Sequence, residues 1–174
     1  MFVGLAILGL IGTYLAKQNG IGELAAALGA ATAFAALEAA QEVIFKPQFG
    51  LSIVAGGHAA VSTILFATPA KSMADTFYGV VGGHVIATLV GMAQLALAPA
   101  ALDFATKTVT VTLVILAQKA LGAVHPPACA FAFMFVGGGK TYEDAIGPIV
   151  GCAVLILLQQ GILAATDDGK KKKA

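Results

Sequence analysis

No arginine occurs in this sequence; all ten of its basic residues are lysine. The chain therefore has no guanidinium fork with which to grip a phosphate or carboxylate through two parallel bonds. Charge of either sign is scarce, at 11% of 174 residues, against about 25% in a soluble domain. A net charge of +1 excludes a general electrostatic case for nucleic acid as a partner. Cysteine is limited to Cys129 and Cys152, both inside apolar stretches. A thiol there acts as a small hydrophobe and not as half of a disulfide or a metal site. Enzyme signatures are missing too: no nucleophile–base pair, dinucleotide fingerprint, Walker loop or paired metal ligands. The run Gly137-Gly138-Gly139-Lys140-Thr141 lacks the leading glycine of a phosphate loop and follows no strand, so it reads as an exposed turn. No positive charge precedes the apolar start and no small-residue cleavage site follows it. Residues 1–15 therefore read as a short membrane helix, or the remainder of one after processing, and not as a signal peptide.

What the chain has in abundance is apolar surface: 59% hydrophobic residues and a mean hydropathy of +0.91. So few charges could not shield that surface from water, and lipid is the solvent it fits. The predicted fold is all-α: a polytopic transmembrane helix bundle forming one domain over residues 1–169, with a basic tail at 170–174. Polar and turn-forming residues divide the chain into apolar blocks at 1–16, 23–43, 51–68, 77–98, 106–122 and 145–165. These predict about five spans plus a short N-terminal helix. The block 23–43 is expected to end near Lys46-Pro47, where proline removes a helical donor. The run 128–136 is too short to cross alone, which predicts a broken or re-entrant helix. The four terminal lysines place the C-terminus on the cytoplasmic or stromal side by the positive-inside rule. Small residues recur at Gly56-Gly57, Gly82-Gly83, Gly91 and Ala25-Ala26-Ala27, and in lipid they allow close helix approach.

Polar residues inside apolar blocks mark where a function would sit. Glu38 and Glu42 lie four apart and share a helix face; Glu42 is expected to pair with Lys46, and the deeper Glu38 to point inward. His58, His84 and His125 are the other intramembrane candidates. His58 and His84 each follow two glycines, with Thr63 and Thr88 a little beyond, a weak internal echo. His125 precedes Pro126 and Pro127, which remove two backbone donors and mark a helix break. Residues 128–130 would then open a helix whose free N–H groups carry the positive end of its dipole.

The string Leu121-Gly122-Ala123-Val124-His125-Pro126-Pro127 resembles the signature that names the HPP family of integral membrane proteins. The stretch from Gly82-Gly83-His84 to Leu89-Val90-Gly91 is similar to that family's second recurring motif, in the right order and separation. Residues 62–69 resemble its apolar run ending at an alanine–proline break. Ala128 and Cys129 stand where members usually carry two glycines. The resemblance implies a bacterial or plastid membrane protein, some plastid members being associated with nitrite movement across the chloroplast envelope. It places Gly83, His84, His125, Pro126 and Pro127 at the substrate-binding centre.

Two functions follow as expectations. The first is a small-anion permease of the nitrite type, needing no cofactor, with His84 and His125 offering N–H donors. The second is a non-catalytic subunit of a larger, photosynthetic membrane complex. There His58, with Glu38 as a further candidate, would bind chlorophyll or carotenoid. Expected partners are membrane lipids, a small anion, and further copies or other membrane subunits. The expected host is a plastid membrane, envelope or thylakoid, ahead of a bacterial inner membrane.

Overall fold

The computed structural model describes residues 2–54, 57–67, 77–97, 104–137 and 142–166. The turn expected at 137–141 and the basic tail lie largely or wholly outside them. Eight helices occupy the described residues: α1 (Phe2–Gln18), α2 (Gly22–Ala40), α3 (Lys46–Phe49), α4 (Gly57–Ala67), α5 (Gly83–Leu97), α6 (Phe104–Leu121), α7 (Pro126–Gly137) and α8 (Ile146–Thr166). A π turn at Gln41–Phe45 joins α2 to α3, another at Tyr78–Gly82 leads into α5, and a 3₁₀ turn at Tyr142–Ala145 leads into α8. In lipid a backbone has no water to bond to, so helix is the conformation that satisfies it. Gly22–Phe49, Tyr78–Leu97 and Ile146–Thr166 are long and apolar enough to cross a membrane.

Two expectations of element boundaries are corrected. Pro47 does not end its helix: the π turn just before it widens the backbone, and α3 carries the proline inside its first turn. The helix stops at Gly50, whose φ of 64° suits a residue without a Cβ. The block 51–68 is not one span. Residues 51–54 are non-helical, and α4 has 11 residues among those described. α7 has 12. At about 1.5 Å per residue, each covers little more than half of a hydrocarbon core about 30 Å thick.

Contacts along the helices give their directions. His58 meets α8 at Pro148, Gln159 reaches Leu65, and Lys17 reaches Thr166, so α1, α4 and α8 run the same way. α2 runs opposite to α1, with Gly9 against Thr32 and Gly12 against Leu28. Val80 packs in the core with Cys152 and Leu155, whereas Met92 and Leu95 pack near Ala145, so α5 opposes α8. α7 runs with α5, since Phe131 meets His84 and Phe135 meets Gly91. α6 runs against both, with Gln118 near Gly83 and Lys107 near Gly137.

These directions divide the chain into two units of one plan. The first is a long helix (α2–α3), a left-handed glycine at Gly50, a non-helical lead-in at 51–54, a half-length helix (α4) and a long helix (α5). The second is α6, a left-handed glycine at Gly122 with φ 68°, a lead-in at 123–125, the half-length α7, and α8. Every helix of the second unit points opposite to its counterpart. This is the inverted-repeat arrangement known from many membrane carriers. α1 stands outside the pair and packs on α2 through small residues. There the hydroxyls of Thr13 and Thr32 bond back to the carbonyls of Gly9 (2.7 Å) and Leu28 (2.6 Å), hiding their polarity.

One core lies among α2, α4 and α8 (Ala33, Leu37, Ile53, Val61, Leu155, Ile156), and a smaller one among α5, α6 and α7 (Ala87, Val114, Ala128, Ala132). Leu8, Leu89, Leu97, Leu116 and Leu157 turn outward, as expected of a surface bathed in lipid.

Candidate functional site

α4 and α7, which run in opposite directions, begin side by side. The Pro127 carbonyl at the start of α7 lies so near Gly57 that a Cβ on that glycine would meet it at 3.5 Å. At this junction the three histidines converge. His58, His84 and His125 are 1%, 1% and 0% exposed. The His84 ring lies 6.1 Å from that of His58, nearly parallel to it at 17°, and 5.2 Å from that of His125 at 51°. Phe131 continues the stack at 5.9 Å from His84, and Phe135 follows at 5.6 Å. Among the described residues no group of three His, Cys, Asp or Glu side chains is placed to hold a metal ion.

The backbone fixes two of these rings. His84 Nδ1–H donates to the Val80 carbonyl at 2.9 Å, one turn back inside the π turn. His58 Nε2–H donates to the Pro148 carbonyl at 2.9 Å, in the first turn of α8. His58 therefore sits inside the bundle, locked to both α5 and α8.

His125 is positioned by a residue the sequence reading passed over. Gln118, buried on α6, receives the His125 backbone N–H on Oε1 at 3.2 Å and donates from Nε2 to the Gly83 carbonyl at 3.1 Å. Its Oε1 also accepts from the Cys129 thiol at 3.6 Å. One carboxamide thus joins α6, the His-Pro-Pro break and the start of α5. The signal in the sequence was a lone amide in an apolar span, just ahead of the left-handed glycine. Gln41 is the counterpart in the other unit: its Oε1 accepts the Val54 N–H at 2.8 Å. Both lead-ins owe a backbone bond to a glutamine on the preceding long helix.

Glycines let the lead-ins come close. A Cβ on Gly83 would lie 2.7 Å from His125 Cβ and 3.0 Å from the Ala123 carbonyl. Gly147 and Gly151 on α8 are pressed in the same way by the carbonyls of Ser52 and Ile53, and Gly151 also by the His58 ring. Gly82, by contrast, has ordinary van der Waals room.

Residues 16–168 match the family described as HPP, transmembrane region. The chain belongs to the HPP family. No curated protein and no solved structure matches it. In this HPP chain the motif's prolines occupy the first two positions of α7, where missing donors leave nothing unbonded. The expected free N–H groups at 128–130 are fewer than that reading requires, because the Ala128 N–H bonds to the His125 carbonyl at 3.0 Å. The integral membrane character of the HPP chain follows from its family and its apolar helices alike.

The remaining candidate sites stand apart. Glu38 is half-buried on α2, and no hydrogen bond or ion pair joins its side chain to another described residue. Glu42 pairs with Lys46 at 3.5 Å, as their spacing implied. Cys152 is a free thiol in the core, and Cys129 a free, half-buried one. A groove of about 580 Å³ between α2 and α4, lined by Glu23, Ala27, Ala31, Phe34 and Ser62 among others, has none of the histidines in its wall. Finally, the echo between His58 and His84 does not mark the repeat. Thr63 is exposed and bonds to the Ala59 carbonyl, whereas Thr88 is buried and its hydroxyl has no partner among the described residues.

Proposed function

We propose that this chain is a permease for a small monovalent anion of the nitrite type, and that the anion passes between His84 and His125. The observation that carries this reading is the placement of those two rings, 5.2 Å apart and buried, where two opposed half-length helices begin. Carriers built of inverted repeats bind their substrates at such junctions, near the midplane and beside broken helices. Ionisable side chains buried within spans are rare and mark ion and proton pathways. On this reading Gly83, Pro126 and Pro127 shape the backbone around the two rings. The host membrane is that of a plastid, since plastid members are the ones associated with nitrite; a tagged chain sorting elsewhere overturns that part.

Proteoliposomes test the proposal. Purified protein should give saturable nitrite uptake above protein-free vesicles, and His125→Ala should reduce it more than ten-fold while keeping its helical circular dichroism. Absence of uptake, or a folded His125→Ala chain with unchanged uptake, overturns it.

A further inference from the structure

The hydrogen bonds of the histidine cluster fix which nitrogens carry protons. A carbonyl oxygen only accepts, so the ring nitrogen facing it must be an N–H. His84 therefore keeps its proton on Nδ1, toward Val80, and in the neutral ring Nε2 carries a bare lone pair. His58 likewise commits its Nε2–H to Pro148. Both carbonyls belong to helices, so neither ring turns over without leaving a buried backbone oxygen without its side-chain donor. Neutral, the ring of His84 offers a lone pair to whatever lies beside it, and a lone pair repels an anion.

The charge environment leads the same way. The titratable groups acting electrostatically on His84 are His125, ahead of α7, and His58, on α4. α7 presents the apolar ring of Phe131 to it, and α6 the neutral amide of Gln118 to the adjacent Gly83. On α8, the Cys152 thiol lies in the apolar core with Val80. Among the described residues no carboxylate or lysine acts on this ring. An imidazolium alone would lack a counter-ion here, and so would an anion alone. Together they neutralise each other in a place where either charge by itself is strongly disfavoured. The Thr88 hydroxyl, one turn along α5, is a donor, but one neutral donor does not balance a buried charge.

Building on the permease reading, we infer that the anion is bound only together with a proton carried on His84 Nε2, so that transport is an electroneutral symport of one proton with one anion. The proton comes from water on the side of arrival. It forms the Nε2–H that donates to the anion and leaves with the anion on the other side, returning His84 to its neutral form.

The test uses the intact wild-type chain in proteoliposomes holding a pH-sensitive dye, with nitrite outside, valinomycin and potassium clamping the voltage, and protein-free vesicles subtracted. Nitrite uptake should acidify the interior with one proton per nitrite. It should rise about ten-fold when the outside is one pH unit more acidic. An inside-positive voltage at equal pH should not accelerate it. Uptake driven by inside-positive voltage without acidification overturns the symport and leaves the permease reading standing; no uptake under any gradient overturns both. His84→Gln, which cannot titrate, should lose coupled uptake more than ten-fold; a folded His84→Gln chain with unaltered proton-coupled flux also overturns the inference.

Discussion

Gly83 and His125 approach so closely that a methyl group on the first would fall 2.7 Å from Cβ of the second. The contact brings the start of α5 against the break that precedes α7, and the two histidines meet because of it. Gly83→Ala must push that break outward. Overpacking of this kind costs about 1–3 kcal/mol, so a clear fall in melting temperature in detergent is expected. Gly82→Ala, with ordinary room around its Cβ, serves as the control and should melt close to wild type. Equal melting of the two variants would show that the approach is not tight.

Gln118→Leu keeps the bulk of the side chain but takes the acceptor from the His125 N–H and the side-chain donor from the Gly83 carbonyl. Leaving buried backbone groups without partners costs about 1–3 kcal/mol in total. Thermal unfolding in detergent measures the loss, and hydrogen exchange at the His125 amide should speed up. Unchanged exchange there would contradict the bond at Gln118 Oε1.

Thr88 separates structural from functional demands. Its hydroxyl is buried without a partner among the described residues, so Thr88→Val should hold or raise stability by about 1 kcal/mol. The same variant is expected to slow nitrite uptake in liposomes, because the lost hydroxyl lies one turn from His84. A variant that is destabilised, with transport intact, would place the hydroxyl in the fold's own bonding.

The pair Glu42–Lys46 gives a prediction of no effect. Both side chains are well exposed at 3.5 Å separation, and such pairs contribute about 0–1 kcal/mol. Lys46→Ala should leave the melting temperature nearly unchanged. A large drop would mean that the start of α3 has a role beyond this ion pair.

The first helix was legible because a polar turn at Gly20 closes its apolar block; the left-handed stops at Gly50 and Gly122 were not. Short α7 was legible as well, because the double proline and the glycines beyond it bound it on both sides. The halving of α4 was not. Residues 51–54 are as apolar as a span, and what holds them out of helix lies far off in sequence: Gln41 thirteen residues upstream, and Gly147 and Gly151 late in the chain. Pro47 misled for a local reason, since a π turn accommodates its missing donor. The candidate site was legible as residue types but not as a place. His84 and His125 stood beside their glycine and proline signals, whereas Gln118, which positions His125, showed only as one amide among valines and leucines.

The lead-in to α4 rests on α8, and the lead-in to α7 rests on α5, so each unit is completed by the other. The two clasp like hooked fingers. During synthesis the seat for residues 51–54 does not exist until α8, made after the other described helices, has entered the membrane. The histidine cluster is therefore a late product of assembly, closed only when α8 arrives. A chain cut between α5 and α6 would yield two pieces that take their native shape only in each other's company.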